Sequence, residues 1–180
     1  LGTNTHRMSH NTPNMGQVTS VDKPYGKECR ELFVARKKGR VIVGSDASGL
    51  EARCLAHRIN DETFTRSIIE SDVHTFNQNF FNVPTRNGAK PVYYCLVYGG
   101  GDKKFGSILG GGAALGKQLR KKYYDRFPNL GKIQKAYESF DKGDLLPAID
   151  GRLMNVRSGH SALNLDLQSM GAIICKYWII

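Results

Sequence analysis

The sequence is poor in cysteine, and its few cysteines are not spaced for metal or redox chemistry. The four are Cys29, Cys54, Cys95 and Cys175, and no two of them form a C-x-x-C pair. Zinc sites and thiol redox motifs need closely spaced sulfur ligands, so this spacing supports neither. We therefore expect the reduced thiols of an intracellular protein.

Long apolar runs are missing as well. No stretch reaches the roughly 20 residues that a membrane-spanning helix needs, and the first residues lack the charged and apolar regions of a secretion signal. We predict a soluble, unsecreted protein with no membrane partner. The chain has no initiator methionine and stops at residues 178–180 inside an apolar helical pattern, which indicates a fragment.

Acidic residues are outnumbered. The 180 residues include 26 lysines and arginines against 16 aspartates and glutamates, a net charge of +10, with an isoelectric point near 9.6. Such a long-range field attracts polyanions and favours a nucleic-acid partner without proving one. The length suits one domain or two small lobes with a core.

One stretch, residues 84–101, has a pattern that organises the rest. At about 100° per residue, positions four apart form one slowly turning stripe on a helix, here Arg86, Lys90, Tyr94 and Tyr98. Pro84 suits the first turn, and three glycines at 99–101 predict its end. Cations at the positive end of a helix suggest a bound anion such as a polyphosphate. The alternative is a solvated basic face with the tyrosines in the core.

Pro91 interrupts this pattern. Inside a helix it removes a hydrogen bond to the Asn87 carbonyl and clashes there, at a cost of about 3 kcal/mol. We expect either a kink beyond Lys90 or a helix that starts later.

Upstream, residues 32–35 and 41–43 are predicted to be two strands of a hairpin, joined by a basic turn that contains Gly39. Asp46 follows the second strand, where a carboxylate can serve as a metal ligand or form an ordinary Asx turn. Ser48 and Glu51 have the spacing of a capping box, which predicts a helix that buries Leu50, Cys54 and Leu55.

Residues 61–82 show an interrupted helical pattern whose apolar positions we expect in the core: Phe64, Ile68, Ile69, Val73, Phe76 and Phe80. His74 lies within this pattern, and a single histidine there is more often structural than functional. The glycine-rich residues 99–112 match neither nucleotide-binding glycine motif, and we expect sharp turns between short helices.

The remaining chain is predicted as follows. Helices cover 115–124, ending at Phe127-Pro128, and 133–140; residues 141–150 are a polar linker; residues 153–157 are a strand. The last helix covers residues 162–180, with one apolar face formed by Leu163, Leu167, Met170, Ile174 and Tyr177.

Five ordered segments together resemble the DNA polymerase I family (family A), most closely the replicative polymerases of short-tailed T-odd-like bacteriophages. The segments are THRMSHNTPNMGQV (5–18), VGSDASGLEARCLAH (43–57), DVHTFNQ (72–78), PTRNGAKPVYYCLVYGGG (84–101) and DGRLMNVRSGHSALNLDLQSMGAIICKYWII (150–180). The resemblance implies an α+β fold, a part of a polymerase right hand with mainly helical fingers and part of an antiparallel palm. Residues 1–60 and 150–180 would belong to the palm and residues 61–149 to the fingers.

The resemblance also implies the chemistry of the site. Asp46 and the Ala47 carbonyl would hold Mg²⁺, two ions in the intact enzyme, whose second aspartate lies in a later motif absent here. Lys90 would be a general acid toward pyrophosphate. The residues expected to bind the incoming deoxynucleoside triphosphate (dNTP) are Glu51, His74, Arg86, Lys90 and Tyr94. Glu51 would exclude a 2′-hydroxyl, although capping is its alternative role.

Primer–template DNA would be bound by Arg7, Tyr98, His160, Asn164 and Gln168. A processivity factor is a further possible partner, and the cytoplasm of an infected bacterial host is the expected location. The fragment alone is expected to be inactive. A single-subunit RNA polymerase and a non-catalytic basic nucleic-acid-binding module are the alternatives.

Overall fold

Helices dominate residues 3–180, the part of the chain that this computed structural model describes. The nine α-helices in these residues are α1 (Gly26–Glu31), α2 (Leu50–Ile59), α3 (Glu62–Ile69), α4 (Val73–Phe81), α5 (Arg86–Val97), α6 (Asp102–Ile108), α7 (Ala113–Arg126), α8 (Pro128–Glu138) and α9 (Gly159–Ile179). Strands β1 (Leu145–Pro147) and β2 (Leu153–Asn155) form the antiparallel sheet, with Leu146 opposite Met154. The predicted α+β class is confirmed.

The described residues divide into two units. Unit 1 contains residue 3 and residues 8–48, and unit 2 contains residues 4–7 and 49–180. None of the helices in the described chain combines the length and the hydropathy of a membrane span.

Unit 1 has little regular structure: a 3₁₀ turn (Met15–Gln17) and α1. Gly26, its one buried residue, starts α1, and a Cβ there would lie 1.8 Å from the Ser20 carbonyl oxygen. The Arg30 Nε donates a hydrogen bond of 3.0 Å to the Thr19 carbonyl. These contacts hold α1 against the loop that precedes it.

The hairpin predicted at residues 32–35 and 41–43 is wrong. Neither segment forms a strand, and their large apolar side chains are exposed. Only the turn between them is present, with Gly39 at a φ of +80° and Arg40 N–H bonded to the Lys37 carbonyl. β-branched residues favour strands where they can pack against neighbours, and in the described residues nothing covers these.

Unit 2 begins with α2, whose N-terminus differs from the prediction. Gly49 is the N-cap, in a left-handed conformation without a side-chain hydrogen bond, so Ser48 and Glu51 do not form a capping box. Cys54 and Leu55 are buried and Leu50 packs against the core, as predicted. The carboxylate of Glu51 is therefore available for a different partner.

Helices α3, α4 and α5 each start at a capping side chain. Asp61, Asp72 and Thr85 accept hydrogen bonds from backbone N–H groups three residues later, at 2.9, 3.1 and 3.1 Å. Most of the apolar residues predicted for α3 and α4 pack in or against the core, but Ile69 is exposed at the end of α3.

Helix α5 begins at Arg86 and continues through Pro91, which excludes the later start, one of the two alternatives for Pro91. Pro84 precedes the helix, because the Thr85 hydroxyl caps the first turn. Pro91 is exposed, while Val92, Leu96 and Val97 are buried. Burial of this apolar face offsets the hydrogen bond that proline cannot make.

The glycine-rich segment permits turns and a close helix crossing. Gly99 and Gly110 have φ angles of +69° and +81°, at the turns before and after α6. A Cβ on Gly106 would lie 2.0 Å from the Gly112 carbonyl oxygen, and one on Gly116 2.0 Å from that of Asp102. Glycine is thus required where α6 meets α7.

Helix α9 lies between two apolar clusters. Leu163, Leu167 and Met170 join the main core, whereas Leu165 and Ile173 pack with the β1–β2 hairpin. Residues 141–150 are therefore not all linker, since β1 lies within them and buries Leu146. The predicted apolar face of α9 is wrong at its end, because Ile174 and Tyr177 are exposed.

Candidate functional site

The predicted stripe lies on the partly exposed face of α5. Arg86 is exposed, Lys90 is half-buried, and the Tyr94 side chain remains 40% exposed. The rings of Tyr94 and Tyr98 stack with centroids 5.4 Å apart. The alternative that places both stripe tyrosines in the core holds in part for Tyr98, which is partly buried against the main core, but not for the exposed Tyr94.

Arg86 has a partner that sequence reasoning missed. Its Nε lies 2.7 Å from Asp72 Oδ2, and the same carboxylate caps α4 through the Thr75 N–H. Burial acts to raise the pKa of Asp72, but the hydrogen bonds from Arg86 and Thr75 outweigh it and the pKa is lowered. The anion beside this cation is thus a carboxylate of the chain itself. Asp72 belongs to the segment DVHTFNQ, but nothing in its spacing from Arg86 signals the pair.

His74, on the first turn of α4, lies against two tyrosines of α5. Its ring centroid is 5.6 Å from that of Tyr93 and 5.9 Å from that of Tyr94, and its Nδ1 is buried without a hydrogen-bond partner. Burial lowers the pKa of His74; Asp72 opposes this shift, and the cations of Arg86 and Lys90 add to it. The neutral imidazole is favoured.

Lys90 completes the cationic cluster. In the described part of the chain, no carboxylate forms an ion pair with it, whereas Arg86 is paired. The structure therefore brings together His74, Arg86, Lys90 and Tyr94, four of the five residues predicted to bind a nucleotide. We name these four residues the α4–α5 cluster.

Glu51, the fifth, meets Tyr98. The Tyr98 hydroxyl donates a hydrogen bond to Glu51 Oε2, which joins the end of α5 to α2. Burial raises the pKa of Tyr98, the bond to Glu51 raises it further, and a hydrogen bond with Gln168 opposes these effects. Glu51, predicted to bind the nucleotide, thus forms one hydrogen-bonded group with Tyr98 and Gln168, both predicted to bind DNA.

The amides predicted for DNA lie on α9. Asn164 and Gln168 are half-buried, and Asn164 Oδ1 is buried without a hydrogen-bond partner. His160 is exposed on the first turn, where its carbonyl oxygen would lie 2.7 Å from a Cβ on Gly99.

Residues 4–7 lie along the hairpin and α9. Asn4 Nδ2 donates to the Asn155 carbonyl at 2.7 Å, and His6 Nδ1 is 2.9 Å from Ser169 Oγ. Arg7, the last residue of this segment, is exposed.

Asp46 and Ala47 lie in unit 1, where Asp46 is exposed and Ala47 half-buried. Across residues 3–180, no group of three or more histidines, cysteines or acids is placed to hold a metal ion. A carboxylate and a carbonyl are oxygen ligands of the kind that Mg²⁺ prefers. Asp46 and the Ala47 carbonyl therefore suit some of the ligand positions of a magnesium site, but not a complete site.

A buried ion pair connects three helices of unit 2. Arg58 of α2 donates two hydrogen bonds of 2.7 Å to the two carboxylate oxygens of Asp166 on α9. Tyr137 of α8 donates a third to Asp166 Oδ2, also at 2.7 Å. The Asp166 side chain is 1% exposed and that of Arg58 29%. Sequence reasoning missed this network, because residues 108 apart carry no local signal.

The sequence of the chain matches a known protein family. The profile of DNA polymerase family A matches residues 1–180. The chain belongs to DNA polymerase family A. The DNA-directed DNA polymerases of Enterobacteria phage T3 and Escherichia phage T7 are each 40% identical to it over 204 residues, which cover 99% of this chain. That of Escherichia phage Phieco32 is 31% identical over 198 residues. The predicted family membership is confirmed.

A solved structure agrees in fold with this family A chain. The POL domain of Pol1 from M. smegmatis, in complex with DNA primer-template and dNTP, superposes with a TM-score of 0.78. It is 23% identical, and the match covers 97% of this chain and 34% of that one. The chain spans about 29% of the length of the phage T3 and T7 polymerases.

Proposed function

We propose that the chain serves template-directed DNA synthesis, the transfer of deoxynucleotides to a primer 3′ end during phage DNA replication. The observation that carries the proposal is the α4–α5 cluster. It brings the neutral His74 of α4 next to two cations and an accessible tyrosine of α5. In this proposal residues 1–60 and 150–180 form palm and residues 61–149 form fingers.

The α4–α5 cluster binds the dNTP in this proposal. Phosphoryl transfer depends on positioning and on neutralising charge, which suits Arg86, Lys90 and His74 around a triphosphate. Lys90 protonates the leaving pyrophosphate. Its lack of a carboxylate partner in residues 3–180 supports this role, because its charge is not already neutralised. Tyr94 stacks near the sugar and base.

Glu51 selects deoxyribonucleotides by leaving no room for a 2′-hydroxyl. Its hydrogen bond from Tyr98 supports this role, because it holds the half-buried carboxylate in one position. The same contact favours DNA synthesis over the alternative of RNA synthesis.

The DNA duplex is contacted by Arg7, Tyr98, His160, Asn164 and Gln168. Minor-groove N3 and O2 acceptors occur on every base pair, so amides that donate to them report pairing geometry and not sequence. The half-buried position of Asn164 and Gln168 supports this role, because part of each amide stays accessible to a ligand. The proposal also includes a processivity factor as a binding partner and the cytoplasm of an infected bacterial host as the location.

Asp46 and the Ala47 carbonyl would hold Mg²⁺, whose chemistry is to stabilise the attacking and leaving oxygens. The resemblance to family A implies that a second carboxylate comes from a later motif that these 180 residues lack. We therefore expect no primer extension from the 180-residue chain alone.

The test compares two lysines in a full-length polymerase that contains this chain. Lys90→Ala should lower the maximal rate of nucleotide incorporation about 10²- to 10³-fold, because charge grows on the leaving phosphates in the transition state. Lys103→Ala, at an exposed position of α6, should leave the rate nearly unchanged. Equal rates for the two variants in rapid-quench primer extension would contradict the proposed site.

A further inference from the structure

Asp72 is an anion placed beside the proposed phosphate site. Its Oδ2 lies 2.7 Å from Arg86 Nε, and this contact joins the N-cap of α4 to the first residue of α5. The Arg86 and Asp72 side chains are 48% and 39% exposed. Ion pairs this accessible to water are weak, so a more highly charged anion can break this one.

The carboxylate is held in place independently of Arg86. Asp72 Oδ2 also accepts hydrogen bonds from the Thr75 N–H at 3.1 Å and from Thr75 Oγ1 at 3.2 Å. When Arg86 pairs with another anion, Asp72 therefore keeps its two hydrogen bonds from Thr75 and its place at the start of α4. It stays next to the site and can pair with Arg86 again.

We propose that Asp72 competes with the triphosphate of the incoming nucleotide for Arg86. Each incoming nucleotide displaces the Asp72 carboxylate from Arg86, and the carboxylate returns to Arg86 when pyrophosphate departs. The inference rests on the proposed function of Arg86. Asp72 is a positioning residue, because it acts through Arg86 and not on the reacting atoms. It weakens the binding of every ligand that uses Arg86 and favours release of the product.

The test is Asp72→Asn in the full-length polymerase, since asparagine caps a helix as well as aspartate does but carries no charge. The KM for dNTP should fall about two- to fivefold, the range expected when an exposed ion pair no longer competes. The inhibition constant of inorganic tripolyphosphate should fall by a similar factor. Asp72→Ser, a second uncharged cap, should behave in the same way.

Asp61→Asn is the matched control. Asp61 caps α3 with the same geometry, through the Phe64 N–H at 2.9 Å, and forms no ion pair with an arginine in the described residues. Its replacement should leave the KM unchanged. In an Arg86→Ala background, Asp72→Asn should no longer lower the KM.

The outcomes separate this inference from the proposed function. An unchanged or higher KM in both Asp72 variants, with Arg86→Ala still impaired, would overturn the competition while the Arg86 site stands. A lower KM that persists without Arg86 would also overturn it. If Arg86→Ala alters neither KM nor the rate, the proposed triphosphate site fails and the inference fails with it.

Discussion

At the scale of single residues, Tyr98 and Tyr94 differ in what holds their hydroxyl groups. The Tyr98 hydroxyl is bonded to Glu51 and is half-buried, so its position is fixed by α2. Tyr94 is 40% exposed and stacks on Tyr98 through its ring. Tyr94 is therefore the more accessible of the two tyrosines.

Tyr94→Phe tests that difference. Loss of one hydroxyl should spare incorporation of normal nucleotides, because the ring that stacks is retained. The resemblance to family A implies that it should also sharpen rejection of chain-terminating dideoxynucleotides. The measurement is the ratio of dNTP to dideoxynucleotide incorporation in the full-length polymerase. An unchanged ratio would count against contact between Tyr94 and the sugar.

His74 makes the stability of unit 2 depend on pH. Burial lowers its pKa below the ordinary 6.5, so below about pH 6.5 the unfolded chain binds more protons than the folded one. Stability should therefore fall as the pH drops from above 6.5 through the lowered pKa, and then level off.

Thermal unfolding between pH 8 and pH 5 provides the measurement. His74→Gln should show a smaller loss of melting temperature over this range than the unaltered chain. His6, whose pKa is lowered mainly by burial, remains in both and contributes in the same direction. Identical pH profiles would show that His74 is not the group that titrates.

At the scale of elements, α9 depends on the Arg58–Asp166–Tyr137 network for its position. Asp166 is a buried carboxylate with three donated hydrogen bonds from α2 and α8. Gln168, two residues later, joins the group formed by Glu51 and Tyr98. The network therefore fixes the helix that carries the proposed DNA contacts.

Removing one side chain of the Arg58–Asp166 pair should lower the free energy of unfolding, whereas replacing both side chains should lower it much less. Asp166→Ala leaves Arg58 half-buried without its anion, and we expect a loss of about 3 kcal/mol in the free energy of unfolding. The double change Arg58→Met with Asp166→Leu should recover most of it, since apolar side chains can replace a buried pair. Glu62→Ala, which breaks the exposed pair with Arg66, is the control and should change little.

Urea unfolding of these variants gives the free energies. A double variant no more stable than Asp166→Ala would mean that the ion pair itself is needed.

At the scale of the whole molecule, the two units differ in how much they bury. Among residues 8–48, Gly26 is the one buried position, while ten large apolar side chains are exposed. Unit 2 contains both apolar clusters of the described chain. Hydrophobic burial is the main favourable term in folding, so unit 1 has little to stabilise it.

Limited proteolysis of the 180-residue chain should therefore cut first within residues 8–48. A fragment that begins near residue 49 should persist, because its backbone is mostly helical and packed. Mass spectrometry of the digest locates the cuts. First cuts in α2–α9 would contradict this division.

Local chemistry in the sequence was sufficient for most helices and for the stripe on α5. Arg86, Lys90, Tyr94 and Tyr98 share a face because of helical periodicity alone, and the glycines that follow end that helix wherever it packs. The five ordered motifs were sufficient for the family. The absence of strands from residues 32–43 was not predictable in this way, because strand propensity without a packing partner does not make a strand.

Contacts between distant residues were decided only by the tertiary structure. Asp72 meets Arg86, Glu51 meets Tyr98, and Arg58 meets Asp166 because helices pack at particular depths and rotations, which periodicity does not specify. Sequence pattern assigns each side chain to a face of its own element. Which face meets which is set by the volume and shape of the shared core, and that core draws on the whole chain at once.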